Sequence, residues 1–191
     1  MTALTRLAPV LALALAACTL AQLRAPDASP AAPLATALPP TPGTTTGATP
    51  GAPGPIPEGF RVKVLRLGID LPIREGVVER DVDQQQTPEG YAFHLPGSAI
   101  PGEVGNAYLY AHARRGMFLG LWDARVGDVV EIATPDGRTL VYVVAEVRPR
   151  VSPTDVSVAR STPDERLTLQ TSTGPSPEDP RFVVIAVPRR G

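Results

Sequence analysis

From Thr19 to Pro57 the chain carries no hydrophobic run with a period of 2 or 3.6 residues, and Pro, Ala, Thr and Gly recur without order. Such a segment has too little apolar surface to offset the entropy of ordering it, so any fold must be built by the residues C-terminal to it. The 191 residues are 43% hydrophobic and hold 23 prolines, which leaves material for one core of ordinary size in the C-terminal part. A net charge of -1 creates no field that would gather nucleic acid, and no nucleic-acid partner is expected. One cysteine excludes an internal disulfide, and no Cys/His cluster has zinc-site spacing. No metal or cofactor is expected, and packing must hold the fold.

Residues 1–17 read as an export signal, with Arg6 as the positive n-region and Leu7 to Ala17 as the apolar h-region. That run is shorter than the roughly 20 residues needed to cross a bilayer. Leu15-Ala16-Ala17-Cys18 resembles the cleavage and lipidation box of bacterial lipoproteins; the plainer alternative is an ordinary signal peptide with Cys18 incidental. The resemblance implies a diacylglyceryl group on Cys18 and a mature protein held at the outer face of the cytoplasmic membrane. Residues 18–57 would then be a disordered Pro/Thr/Ala-rich tether, extended at about 3 Å per residue and on the order of 100 Å long when stretched. Its threonines suit O-glycosylation by composition alone.

The texture changes at Phe60, after which short apolar runs alternate with turn signals. Phe60 to Leu67 contains strand alternation, and the β-branched runs Val129 to Ala133 and Thr139 to Val147 flank Pro135-Asp136-Gly137, which reads as a hairpin. Strands are also predicted at Asn106 to Ala111, Arg166 to Thr171 and Phe182 to Val187, and a short helix at Met117 to Asp123. Residues 58–191 are therefore expected to form a mostly-β domain, closed or nearly closed as a barrel, with short helices.

Several motifs in this domain resemble the sortase family, in particular its housekeeping-type, class E/F-like barrels. Pro96-Gly97 through Glu103, Gly105 and Asn106 is similar to the family's approach to its catalytic histidine, which would be His112. Phe118, Leu121 and Gly127-Asp128 match F-x-x-L and GD elements, and Leu167 to Ser172 looks like the strand end TLxTC with serine in the last place. Arg181 matches the family arginine. The motifs run in family order from about Phe60 to Pro188.

The resemblance implies a transpeptidase in which a thiolate attacks the carbonyl of a peptide sorting signal of surface proteins. A histidine moves the proton and an arginine steadies the oxyanion or substrate. The corresponding set here is Ser172, His112 and Arg181. Serine changes the requirement. A thiol can wait as thiolate beside a cation, whereas a hydroxyl needs an aligned base during attack and usually a carboxylate behind that base. Glu103, Asp123 and Asp128 are the orienting acids available by proximity in the chain, and no G-x-S-x-G elbow is present. Ala111 also replaces the glycine that commonly precedes the family histidine.

Two readings stand at this point: a sortase-like domain that is inactive or weak and retains peptide binding, or an active serine variant. A structural, wall-exposed domain with a filled groove is the third. Among individual residues, His112 could cap a strand and Arg181 could pair with Glu178 or Asp179. His94 lacks an obvious partner and reads as structural or exposed, and Trp122, Phe118 and Leu121 are expected to pack in the core.

Overall fold

The computed structural model describes residues 54–190, so the signal peptide, Cys18 and nearly all of the tether lie outside the described residues. Eight strands form a closed barrel: β1 (Arg61–Val64), β2 (Ile69–Glu75), β3 (Ala92–His94), β4 (Asn106–Tyr110), β5 (Val129–Ala133), β6 (Thr139–Val151), β7 (Arg166–Ser172) and β8 (Arg181–Pro188). Around the barrel the order is β1-β2-β3-β4-β7-β8-β6-β5. The β2–β3 and β4–β7 pairs are parallel and the others antiparallel.

Alternation builds the core. Val62 and Val64 of β1, Ile69, Leu71 and Ile73 of β2, Leu167 and Leu169 of β7, and Phe182, Val184 and Ala186 of β8 all point inward. Ile56, just before β1, packs with them, and its N–H donates to Glu75 Oε2 (2.9 Å). The predicted hairpin is present as β5 and β6, with Thr134 N–H bonded to the Arg138 carbonyl across the turn (2.9 Å). β6 runs beyond the predicted end to Val151, and two register irregularities against β8 bend it.

Two strands escaped the sequence reading. β2 contains Pro72, which argues against a strand. It is tolerated because Ile73 N–H bonds back to the Phe60 carbonyl (2.8 Å), which turns the position of the missing Pro72 N–H away from β1. On that other side β3 pairs only from Ile73 onward. β3 itself is three residues long, too short to show a period.

The predicted helix is a 3-10 helix over Phe118–Asp123. With three residues per turn, Phe118 and Leu121 share its buried face and Trp122 is turned off it. Gly120 lets this turn approach: a Cβ there would lie 2.3 Å from the Leu67 carbonyl oxygen. Buried Asn106 ties down another segment. Its Nδ2 donates to the carbonyls of Val158 (2.9 Å) and Arg160 (3.2 Å), while its Oδ1 accepts from the Thr168 hydroxyl (2.7 Å). That fixes the 3-10 turn Val156–Ala159 against the outside of the barrel.

Candidate functional site

Three strands adjacent in the barrel bring the expected residues together. β4 and β7 run parallel with Tyr110 opposite Gln170, and the Ala111 N–H continues the ladder to the Gln170 carbonyl (3.2 Å). His112 and Ser172, each two residues past that pair, therefore arrive at one level. β8 returns antiparallel to β7 with Arg181 directly opposite Ser172. Parity aims all three outward. Ala107, Leu109 and Ala111 face the core, as do Leu167 and Leu169 on β7 and Phe182 and Val184 on β8, so the intervening positions line the outer wall.

That wall is the floor of an open cleft of about 1040 Å³, bordered by residues 81–87, the 151–159 segment and the β7–β8 loop. Among the described residues this groove is open, not filled as expected of a purely structural domain. Leu95, Tyr108, Val151 and Val158 form a packed apolar group in the cleft, apart from the main core. Burial raises the Tyr108 and Tyr110 hydroxyls, keeping both as hydrogen-bond donors; the carboxylate of Asp81 adds to the effect at Tyr110. Tyr108 donates to Gln170 Oε1, and Tyr110 donates to Asp81 Oδ2 (2.5 Å).

Ser172 and Arg181 are in contact. Arg181 Nη1 donates to Ser172 Oγ (3.3 Å) and to the Asp179 carbonyl (2.8 Å), and Nη2 donates to the Pro177 carbonyl (3.0 Å). The guanidinium thus braces the β7–β8 loop and forms no ion pair with Glu178 or Asp179, correcting that alternative. Glu178 accepts from the Ser176 hydroxyl and Asp179 from the Ser176 N–H (2.7 Å). The Ser172 hydroxyl donates to the Gly174 carbonyl (2.6 Å) and accepts from the Gly174 N–H (3.3 Å).

His112 faces elsewhere. Its Nε2 lies 2.7 Å from the Thr87 carbonyl. A carbonyl only accepts, so Nε2 carries the proton and Nδ1 is the basic nitrogen of the neutral ring. Among the described residues no hydrogen bond joins His112 to Ser172, and no carboxylate bonds to the ring.

The three acids suggested by chain proximity do not serve His112. Asp128 is gripped by Arg66 (Nε to Oδ1 2.5 Å) and by the Arg125 N–H (2.8 Å), and the Arg66 guanidinium holds its carboxyl below the usual range. Asp123 offers its carbonyl to the same Arg66 (2.7 Å), and Glu103 is exposed in the turn before β4. The orienting acceptor is the Thr87 backbone, which no local pattern connects to residue 112.

Two further expectations change. Trp122 is 44% exposed, lines the cleft and donates from Nε1 to the Ser172 carbonyl (3.2 Å), so it belongs to the site and not to the core. His94 is fully buried and well partnered: Nδ1 meets Glu75 Oε2 (2.8 Å), and Nε2 meets the Ala99 carbonyl (3.0 Å) and Ser98 Oγ (2.9 Å). These residues form a Ser-His-Glu chain. With the ring inaccessible and Ser98 nearly so, its effect is to fasten the turn after β3 to the end of β2.

The described residues thus form a closed eight-stranded barrel with His112, Ser172 and Arg181 lining one cleft on its outer wall. The sortase domain family matches residues 62–189, and the chain belongs to the sortase family. Among solved structures it is similar to a lid mutant of sortase A from Corynebacterium diphtheriae, at 26% identity and TM-score 0.59, covering 70% of this chain and 71% of that one. A Clostridium perfringens sortase D5 transpeptidase matches at 26% identity and TM-score 0.56, covering 71% and 82%. Sortase A from Listeria monocytogenes, at 23% identity and TM-score 0.59 over 70% and 88%, shares the fold. No curated protein matches the sequence.

Proposed function

We propose that this chain is a sortase-family domain, class E/F-like, whose transpeptidase activity is lost or strongly weakened and whose cleft binds an extended peptide of the sorting-signal type. The observation that carries the reading is the state of the Ser172 hydroxyl. Its proton goes to the Gly174 carbonyl, and the ring that would have to remove it is bonded to Thr87. A hydroxyl without an aligned base is a poor nucleophile at neutral pH. The arginine, the histidine and an open cleft with an apolar group remain, and these suffice to hold a peptide carbonyl and side chains.

The same reading places the domain outside the cytoplasmic membrane, tethered through a lipid on Cys18 and the Pro-rich segment, with residues 1–17 removed. Among the described residues no helix is long and apolar enough to cross a membrane. Mass spectrometry of the protein purified from bacterial membranes tests the anchor: a lipid-modified peptide beginning at Cys18 is expected, and an unmodified Cys18 contradicts it. For the cleft, a library of sorting-signal-like peptides is incubated with the full chain and an amine acceptor. Retention of peptide without new products is expected; a product lacking the C-terminal part of the peptide contradicts the inactive assignment.

A further inference from the structure

The connection from β2 to β3, residues 76–91, crosses the outside of the barrel as a strap and meets His112 at Thr87. Its apolar side chains do not hold it down, because Val77, Val78 and Val82 are all exposed. A polar knot does. Asp81, whose side chain is wholly shielded, sits in a one-turn π-helix (Glu79–Asp83) and accepts from the Tyr110 hydroxyl (2.5 Å), the Val77 N–H (3.0 Å) and Nε and Nη2 along one edge of the Arg80 guanidinium (2.6 and 2.8 Å). Arg80 in turn lies over the Phe93 ring at 4.9 Å. At Gly76 the strap starts hard against the same tyrosine, since a Cβ there would fall 2.2 Å from Tyr110 Oη. Six residues beyond Asp81, the Thr87 carbonyl meets His112 Nε2.

Tyr110 and His112 occupy alternate positions leaving β4, so the strap is pinned at two successive outward sites of one strand. We propose that Asp81 is a positioning residue: by bonding Tyr110 it holds the strap in the one placement in which the Thr87 carbonyl keeps the proton of His112 on Nε2 and presents Nδ1 to the cleft. A backbone carbonyl thereby takes the orienting role usually given to a carboxylate behind a catalytic histidine. The inference rests on the assignment of His112 to the functional site. Its readout needs no ligand and no turnover, so its failure and a failure of peptide binding are separate results.

The chain contains two histidines, so the full chain labelled with nitrogen-15 histidine yields the imidazole signals of His94 and His112 alone. In the unaltered protein at alkaline pH, His112 is expected as a single Nε2–H tautomer. In Asp81→Asn and Tyr110→Phe, hydrogen exchange over residues 77–90 is expected to accelerate roughly tenfold or more. The two His112 nitrogen shifts should then move toward their tautomer average while those of His94 stay fixed, with partial recovery in Asp81→Glu. The proposal is overturned if the strap loosens and His112 keeps its tautomer, or if neither variant changes strap exchange. Tyr110→Phe removes one hydroxyl only and carries the test if Asp81→Asn fails to fold.

Discussion

At the residue scale, the proposed loss of activity turns on the Ser172 hydroxyl, which accepts from Arg181 and is bonded within its own loop. A thiol in that place is expected to need an aligned base less than a hydroxyl does, because a neighbouring cation such as Arg181 favours the thiolate. The oxygen is held in a local loop bond instead. Ser172, His112 and Arg181 were singled out in the sequence by resemblance, and all three line one cleft. The role of Thr87 was not legible, since a backbone carbonyl has no residue-type signature and 25 positions separate it from its partner. Trp122 was misjudged because large aromatics default to cores, and only the three-residue turn shows which face it takes. As the single tryptophan, it reports on the cleft alone. Peptide binding should change its emission, and Trp122→Ala should weaken affinity by roughly tenfold, the scale of one aromatic contact. Equal affinity in Trp122→Ala by calorimetry would remove Trp122 from the site.

At the element scale, the cleft depends on segments outside the strand ladder that side chains of β4 hold against the barrel. The 156–160 turn is fastened by Asn106, which satisfies two of its carbonyls and one threonine hydroxyl with a single buried amide. Asn106→Ala strands those partners and should cost about 1–3 kcal/mol of stability. It should also raise hydrogen exchange over 153–160 before the strands respond; a global loss with no local excess would contradict the anchoring role. The Gly105-Asn106 motif was read from the sequence as a family mark, and the structure supplies its physical reason. β2 and β3 were invisible for opposite causes, a proline inside one and too few residues in the other. The strap between them could not be placed without knowing where they lay.

At the scale of the whole molecule, closure of the barrel gives one continuous interior and leaves the chemistry outside it. The mostly-β barrel was predictable because most of its strands carry β-branched or alternating runs, and a sheet with those inward faces must close or stack. Electrostatics add a pH signature. At Asp81 burial acts upward but is outweighed by Arg80, Tyr110 and the Val77 N–H, and Asp128 is held low by Arg66, so both carboxyls are below their usual range in the folded state. Because the folded values lie beneath the unfolded ones, this stabilisation is complete above pH of about 4 and is lost as pH falls through the lower folded values. The melting temperature should therefore drop on acidification below about pH 4, with a smaller drop in Asp81→Asn. An unchanged melting temperature at a pH of about 3 would contradict that assignment.

The proposed function requires a peptide-binding cleft that persists around a hydroxyl without an aligned base. The most direct measurement places the unaltered chain, Ser172→Cys and Ser172→Ala side by side with a sorting-signal-like peptide library and an amine acceptor, with products read by mass spectrometry. Cleavage or ligation by Ser172→Cys alone is expected. Turnover by the unaltered chain that disappears in Ser172→Ala would contradict it and make this a serine-based sortase.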